Sequence, residues 1–190
     1  MHTWRVGVEA YAPCYNQRMA NDPRIPPQDL DTERALLGAV MLSPEAISDV
    51  ADVLFSDSFY ATKHRTIYDA MLSLYTRGEP VDLISLSARL KEKKQLEKIG
   101  GNTYLSELVG VTVSPGSARH YAHVIQTKGV LRGLITAADE IGQLGFQEDR
   151  DIEEVLNEAQ AKIFKIANTT SLKHFTTLGA ELRETWERVE

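Results

Sequence analysis

Apolar residues in this chain recur at the spacing of helices and almost nowhere at the spacing of strands, and that pattern constrains the fold more than any other feature. They return at i, i+3, i+4 and i+7 along most of the chain, whereas no stretch alternates with period two for more than a few residues. A sheet has no strands to draw on, so the fold class is all-α. Punctuation divides the pattern. Pro26 and Pro27 force an extended approach, and Asp29 or Asp31 can cap a helix carrying Leu36, Leu37, Val40 and Met41 on one face. Ser43 as cap and Pro44 at the first helical position predict a second helix with Ile47, Val50, Ala51 and Leu54 inward. After a break at Phe55–Ser58, a third helix over about Thr62–Arg77 turns Ile67, Tyr68, Met71, Leu74 and Tyr75 inward and ends at Gly78. Asp82 caps a fourth helix to about Lys94 with Leu83, Leu86 and Leu90. Gly100-Gly101 then makes a turn, and Asn102 caps a fifth with Tyr104, Leu105, Leu108 and Val109. Five short helices in so few residues make a compact helical bundle.

The second half carries longer periods. Ser114 and Pro115 start a helix reaching about Phe146, roughly 45 Å long at 1.5 Å per residue, too long to be covered by so small a bundle. Its apolar positions include Ala118, Tyr121, Ile125, Leu131, Leu134, Ile135, Ala138, Ile141 and Leu144. The polar turn QEDRD leads into a second amphipathic helix over about Ile152–Ala167, with Ile152, Val155, Leu156, Ala159, Ile163, Phe164 and Ile166 on its buried side. The pair is an antiparallel hairpin with apolar surface left over, which predicts self-association or a partner. NTTSLK reads as a linker. The final segment begins another amphipathic helix with Phe175, Leu178, Leu182, Trp186 and Val189 on one face and nothing left to pack against, as expected of a fragment of a longer protein. The expected organisation is a disordered arm over 1–24, possibly not native upstream of Met19; a head over 25–110; a hairpin over 114–168; a linker over 169–175; and the start of a linker helix over 176–190.

Composition narrows the function. Acidic residues outnumber basic ones 27 to 21, for a net charge of -6, so the chain does not capture phosphate backbones by bulk charge. The lone cysteine, Cys14, can form neither an internal disulfide nor a cysteine-based zinc cage, which favours a reducing, cytoplasmic setting. No apolar run approaches the roughly 18 residues of a membrane helix, so the expectation is a soluble chain that does not engage membranes.

Several runs, in order, carry a family likeness: PPQDLDTERALLGAVMLSPEAI, DSFYATKHRTIYDAMLSLYTRGEPVDLISLSARLKEK, GGNTYLSELV and HYAHVIQTKGVLRGLI. Together they resemble the N-terminal half of the bacterial replicative DNA helicase of the DnaB type. The resemblance implies a helical head, a hairpin, and a linker helix leading into a RecA-like ATPase domain. It further implies a homohexameric ring in which N-terminal domains pair through their hairpins into a collar that binds primase, while a 5'-3' ATPase ring translocates on single-stranded DNA. A helicase loader is a further implied partner. Carried onto this chain, the hairpin interface would include Tyr121, Ile125, Leu131, Leu134, Ile163 and Phe164. Linker-helix docking on a neighbouring ATPase domain would use Leu178, Leu182 and Trp186. The ATP and magnesium implied for the ATPase domain have no site here, because no G-x-x-x-x-G-K-[ST] phosphate loop occurs in the 190 residues. No cofactor, catalytic residue or metal site is therefore expected in this chain.

Other constellations have plainer readings. Gly100-Gly101-Asn102-Thr103 is preceded by no strand and reads as a loop and cap. His120 and His123 lack a third ligand. Arg89, Lys91, Lys93, Lys94 and Lys98, interleaved with Glu92 and Glu97, read as a solvated face. The acidic residues of EDRDIEE favour a helix N-terminus, and Tyr68, Tyr75 and Tyr104 read as core. Gly129 and Gly133 form a GxxxG that serves either a crossing at a dimer interface or nothing in particular. Two function classes compete: the assembly and primase-binding portion of a replicative helicase, or a free-standing helical adaptor that binds primase or the helicase ring. A small helical enzyme is the weakest alternative, since no catalytic set shares a face.

Overall fold

The computed structural model describes residues 25–111, 115–147 and 149–171. The expected arm over 1–24, the cap at Ser114 and the linker helix with Leu178, Leu182 and Trp186 lie outside the described residues. Every regular element described is helical.

Helix α1 (Leu30–Leu42) is the centre of the head. Asp29 opens it, its carboxylate accepting the Thr32 amide hydrogen at 3.0 Å. Leu36, Leu37, Ala39 and Val40 on α1 are wholly buried. Ser43 does not cap the next helix: it ends α1, donating its amide hydrogen to Ala39 at 2.9 Å, and Pro44 lies in the turn before α2 (Ala46–Ala51). A 3-10 turn, Ser56–Ser58, leads to α3 (Thr62–Tyr75), which buries Ile67, Tyr68, Met71 and Leu74. Tyr68 donates its hydroxyl to the Leu54 carbonyl at 3.1 Å, and burial, aided by Asp69, pushes its phenol above the usual range. Tyr75, expected inward, is exposed. Gly78 closes α3 at φ 70°, the left-handed geometry that favours glycine.

Asp82 caps α4 (Leu83–Glu92), accepting from Ser85 at 2.8 Å. A one-turn helix, α5 (Leu96–Ile99), follows where no element is expected, and it buries both Leu96 and Ile99. Helix α6 (Gly101–Val111) starts one residue earlier than the expected cap: Asn102 lies inside it, and its side-chain oxygen accepts from the Ser87 hydroxyl at 2.8 Å.

After a 3-10 turn at Pro115–Ser117, α7 (Ala118–Leu144) runs 27 residues, about 40 Å. Its first two turns belong to the head, because Ala118, Ala122 and Ile125 are buried in the same core as α1 and α3. The head therefore extends past 110, to about Ile125. Helix α8 (Ile152–Ser171) returns antiparallel along α7. It continues through residues 169–171, where a polar linker was expected.

Candidate protein-interaction surface

Three features place the chemistry: a sealed head, a hairpin with one bare face, and a polar network behind their junction. The network is buried. Glu33, on the inward side of α1 one turn before Leu36 and Leu37, is 2% exposed, and His64 in the first turn of α3 is 1% exposed. Ala61 precedes α3 and has no side chain to cap it, so Glu33 reaches across from α1 and accepts the Tyr60 amide hydrogen at 2.6 Å and that of Ala61 at 3.3 Å. Its second oxygen lies 2.6 Å from His64 Nδ1, and His64 Nε2 lies 2.7 Å from the Tyr104 hydroxyl on α6. Lys63 caps the assembly with its ammonium 3.8 Å above the Tyr104 ring. Three helices are thus joined through one carboxylate and one imidazole. Sequence reasoning passed over both residues, although each sits three residues before a core position on its own helix.

The hairpin is held along one line. Gly133 meets Ile166, Lys162 donates to Glu140 at 2.8 Å, and Ala137 and Leu144 are buried there. Arg150 in the turn donates to Glu158 at 2.8 Å, which pulls the Glu158 carboxyl below the usual carboxylate range; the bond to Glu140 raises the Lys162 ammonium. Asp151 accepts from the Glu153 amide at 2.8 Å. Asp151 and Glu154, which pairs with Arg150 at 3.9 Å, therefore serve the hairpin itself.

A second line of each helix is apolar and bare. On α7 it holds Leu131, Leu134, Ile135 and Ala138, at i, i+3, i+4 and i+7; on α8 it holds Ile152, Leu156, Ile163 and Phe164. Phe164 is 63% exposed and Ile163 55%. At about 100° per residue, both stripes are rotated from the helix–helix contact line in the same sense. In an antiparallel pair, that places them on one common side. The opposite side of α7 carries Arg132 and faces a groove of about 1040 Å³ against the head, lined in part by Phe55, Arg65 and Lys165.

The expected interface residues divide accordingly. Leu131, Leu134, Ile163 and Phe164 stand on the bare face. Ile125, 1% exposed, belongs to the head core, and Tyr121 is half-buried against that core. The GxxxG glycines also work within the chain: Gly129 meets Ser58 of the head, and Gly133 meets α8. His120 and His123 are exposed. Arg89 is drawn out of the basic cluster, donating to Glu92 and Ser73. Among the described residues, no helix is long and apolar enough to cross a membrane.

This arrangement is a closed helical head bearing a hairpin with an uncovered apolar side. The chain belongs to the DnaB-like helicase N terminal domain family, whose profile matches residues 25–127, ending close to where the head core ends. It is 38% identical over 167 residues to "Replicative DNA helicase DnaB" of Geobacillus stearothermophilus, covering 88% of this chain and 37% of that one. It is 36% identical over 172 residues to "Replicative DNA helicase DnaC" of Bacillus subtilis, covering 90% and 38%. The chain thus spans less than two-fifths of the length of these relatives. Among solved structures, it superposes on the N-terminal domain of DnaB helicase from Mycobacterium tuberculosis with a TM-score of 0.71 at 38% identity, covering 74% of this chain and 99% of that one. A DnaB-like replicative helicase described with its interactions with primase gives a TM-score of 0.61 at 25% identity, covering 84% and 35%.

Proposed function

We propose that this chain is the assembly and primase-binding portion of a hexameric replicative DNA helicase, which unwinds duplex DNA at the replication fork with ATP in the cytoplasm. The observation that carries the reading is the bare apolar side shared by α7 and α8, in a chain whose family is that of replicative helicases. Burying apolar surface contributes about 25 cal/mol per Å², so two copies that cover these stripes against each other gain what each leaves exposed alone. That contact supports pairing of two copies, and the ring collar is what the family resemblance adds to it. Primase and a helicase loader are the protein partners, and single-stranded DNA is met by the ATPase ring rather than by this acidic chain.

ATP and magnesium belong to the ATPase domain that the family implies. The residues in hand do not fit them: there is no phosphate loop, and Gly100-Gly101 joins α5 to α6 with no strand before it. No nucleotide step is assigned to this chain.

Sedimentation velocity at tens of micromolar tests the pairing. A dimer or larger species is expected; a strict monomer overturns it. Titration of the same organism's primase against the chain tests the second part, with saturable binding expected and no binding contradicting it.

A further inference from the structure

The long helix does not simply leave the head; it is keyed to it. At Gly129 the backbone of α7 runs so close to the 3-10 turn that an added Cβ would stand 2.9 Å from Ser58 Cα and 3.3 Å from its carbonyl oxygen. These are main-chain atoms that cannot swing aside. Three residues on, Arg132 donates through Nη1 to the Pro27 carbonyl at 2.7 Å and through Nη2 to the Ser58 carbonyl at 2.5 Å. One guanidinium thus joins the hairpin to two separate segments, the lead-in to α1 and the turn before α3. Burial lowers its pKa while the nearby Glu33 charge raises it.

The gripped turn is held from the other side as well. Glu33 takes the amides of Tyr60 and Ala61, and Arg65 Nε donates to the Phe59 carbonyl at 2.8 Å. Between Ile125 and Ala137, no residue of α7 is fully buried. The joint is therefore made of a glycine contact and an arginine grip, without the apolar core that fixes the helix on either side.

We infer that Gly129 and Arg132 form a latch that sets the angle at which the hairpin leaves the head, with Glu33 holding the turn on which the latch closes. The latch can open without unmaking the head core, because its bonds lie at the edge of the groove and involve only backbone carbonyls. Lysine can replace the arginine only in part, since a single ammonium lacks the planar fork that spans two carbonyls. The angle in turn sets how the bare stripes are presented, but the latch itself does not depend on what covers them.

Pulsed dipolar spectroscopy on the full 190-residue chain tests this. Cys14→Ser removes the native thiol, Glu97→Cys and Gln143→Cys place spin labels on exposed positions of head and hairpin, and unlabelled chain dilutes contacts between copies. One narrow distance is expected for the parent. Arg132→Gln should at least double the width of the distribution, Arg132→Lys should fall between, and Gly129→Val should shift its centre. An unchanged distribution in Arg132→Gln overturns the latch, even if its melting temperature falls, since a residue that merely stabilises the head would lower melting without moving the hairpin. If Gly129→Val loses its helical circular dichroism, the two arginine variants decide the question alone.

Discussion

The head and the hairpin are built from the same kind of amphipathic helix yet treat their apolar residues in opposite ways. In the head, α1, α3, α4 and α6 and the first turns of α7 close on a continuous core in which Leu36, Ile67, Tyr68, Leu90, Leu105 and Ile125 are essentially inaccessible. In the hairpin, Ala137 and Leu144 are the buried apolar residues of α7 beyond the head, while Leu134, Ile163 and Phe164 stand open. The difference lies in how many elements surround each helix: a helix at the centre of a bundle has every side covered, whereas one of an antiparallel pair covers a single line. The head closes on its own core, and the hairpin leaves apolar side chains exposed.

That contrast is sharpest on one helix. Ile125 and Leu134 lie nine residues apart on α7, one sealed in the head and one bare. Ile125→Asp should unfold the head, because an unpaired buried charge costs several kcal/mol, more than about 4 here; a cooperative urea transition of unchanged midpoint would break the comparison. Phe59→Ala comes next. Phe59 is wholly buried and packs against Tyr68 in a tilted pair with ring centroids 5.0 Å apart, so about 3–5 kcal/mol should be lost in denaturant unfolding. Glu33→Gln should cost about 1–3 kcal/mol, since it weakens the capping of α3 and the bond to His64; a neutral result would mean the network does not contribute. Asp82→Ala should cost about 1 kcal/mol through loss of the cap on Ser85.

The smallest effect is expected in the hairpin. The Glu158 carboxyl titrates below its usual range, so its ion pairs favour the folded hairpin above that range and the contribution fades as pH falls through the lowered folded-state value. Carboxyl titration by NMR should show the lowered midpoint in the parent and its return toward normal in Arg150→Gln. Both partners are partly open to solvent, so the melting temperature should barely change between the two chains.

The helices themselves were legible because each buries one face, and a buried face writes a 3.6-residue period into the sequence. What periodicity could not show was where helices stop and what lies between them. Ser43 and Pro44 satisfy the rules for a helix start, but the chain spends Ser43 on finishing α1. Leu96 and Ile99 are too few to set a period, so α5 was invisible. Glu33 and His64 look like surface residues by type, yet their positions on the inward side of α1 and α3 were readable signals. Of the residues expected at the hairpin interface, Leu131, Leu134, Ile163 and Phe164 stand exposed, whereas Ile125 shares their period and differs in having the head beside it. Period alone cannot distinguish an apolar residue covered by its own chain from one left for a partner.

We propose that the stripe on α7 and α8 is a surface for another chain and not a core. Sedimentation velocity of a Leu134→Asp, Phe164→Asp double variant beside the parent tests it most directly. The parent should sediment as a dimer or larger species and the variant as a monomer with the same urea midpoint for its head. An unaltered assembly in the variant, or a head that unfolds with it, would contradict the account.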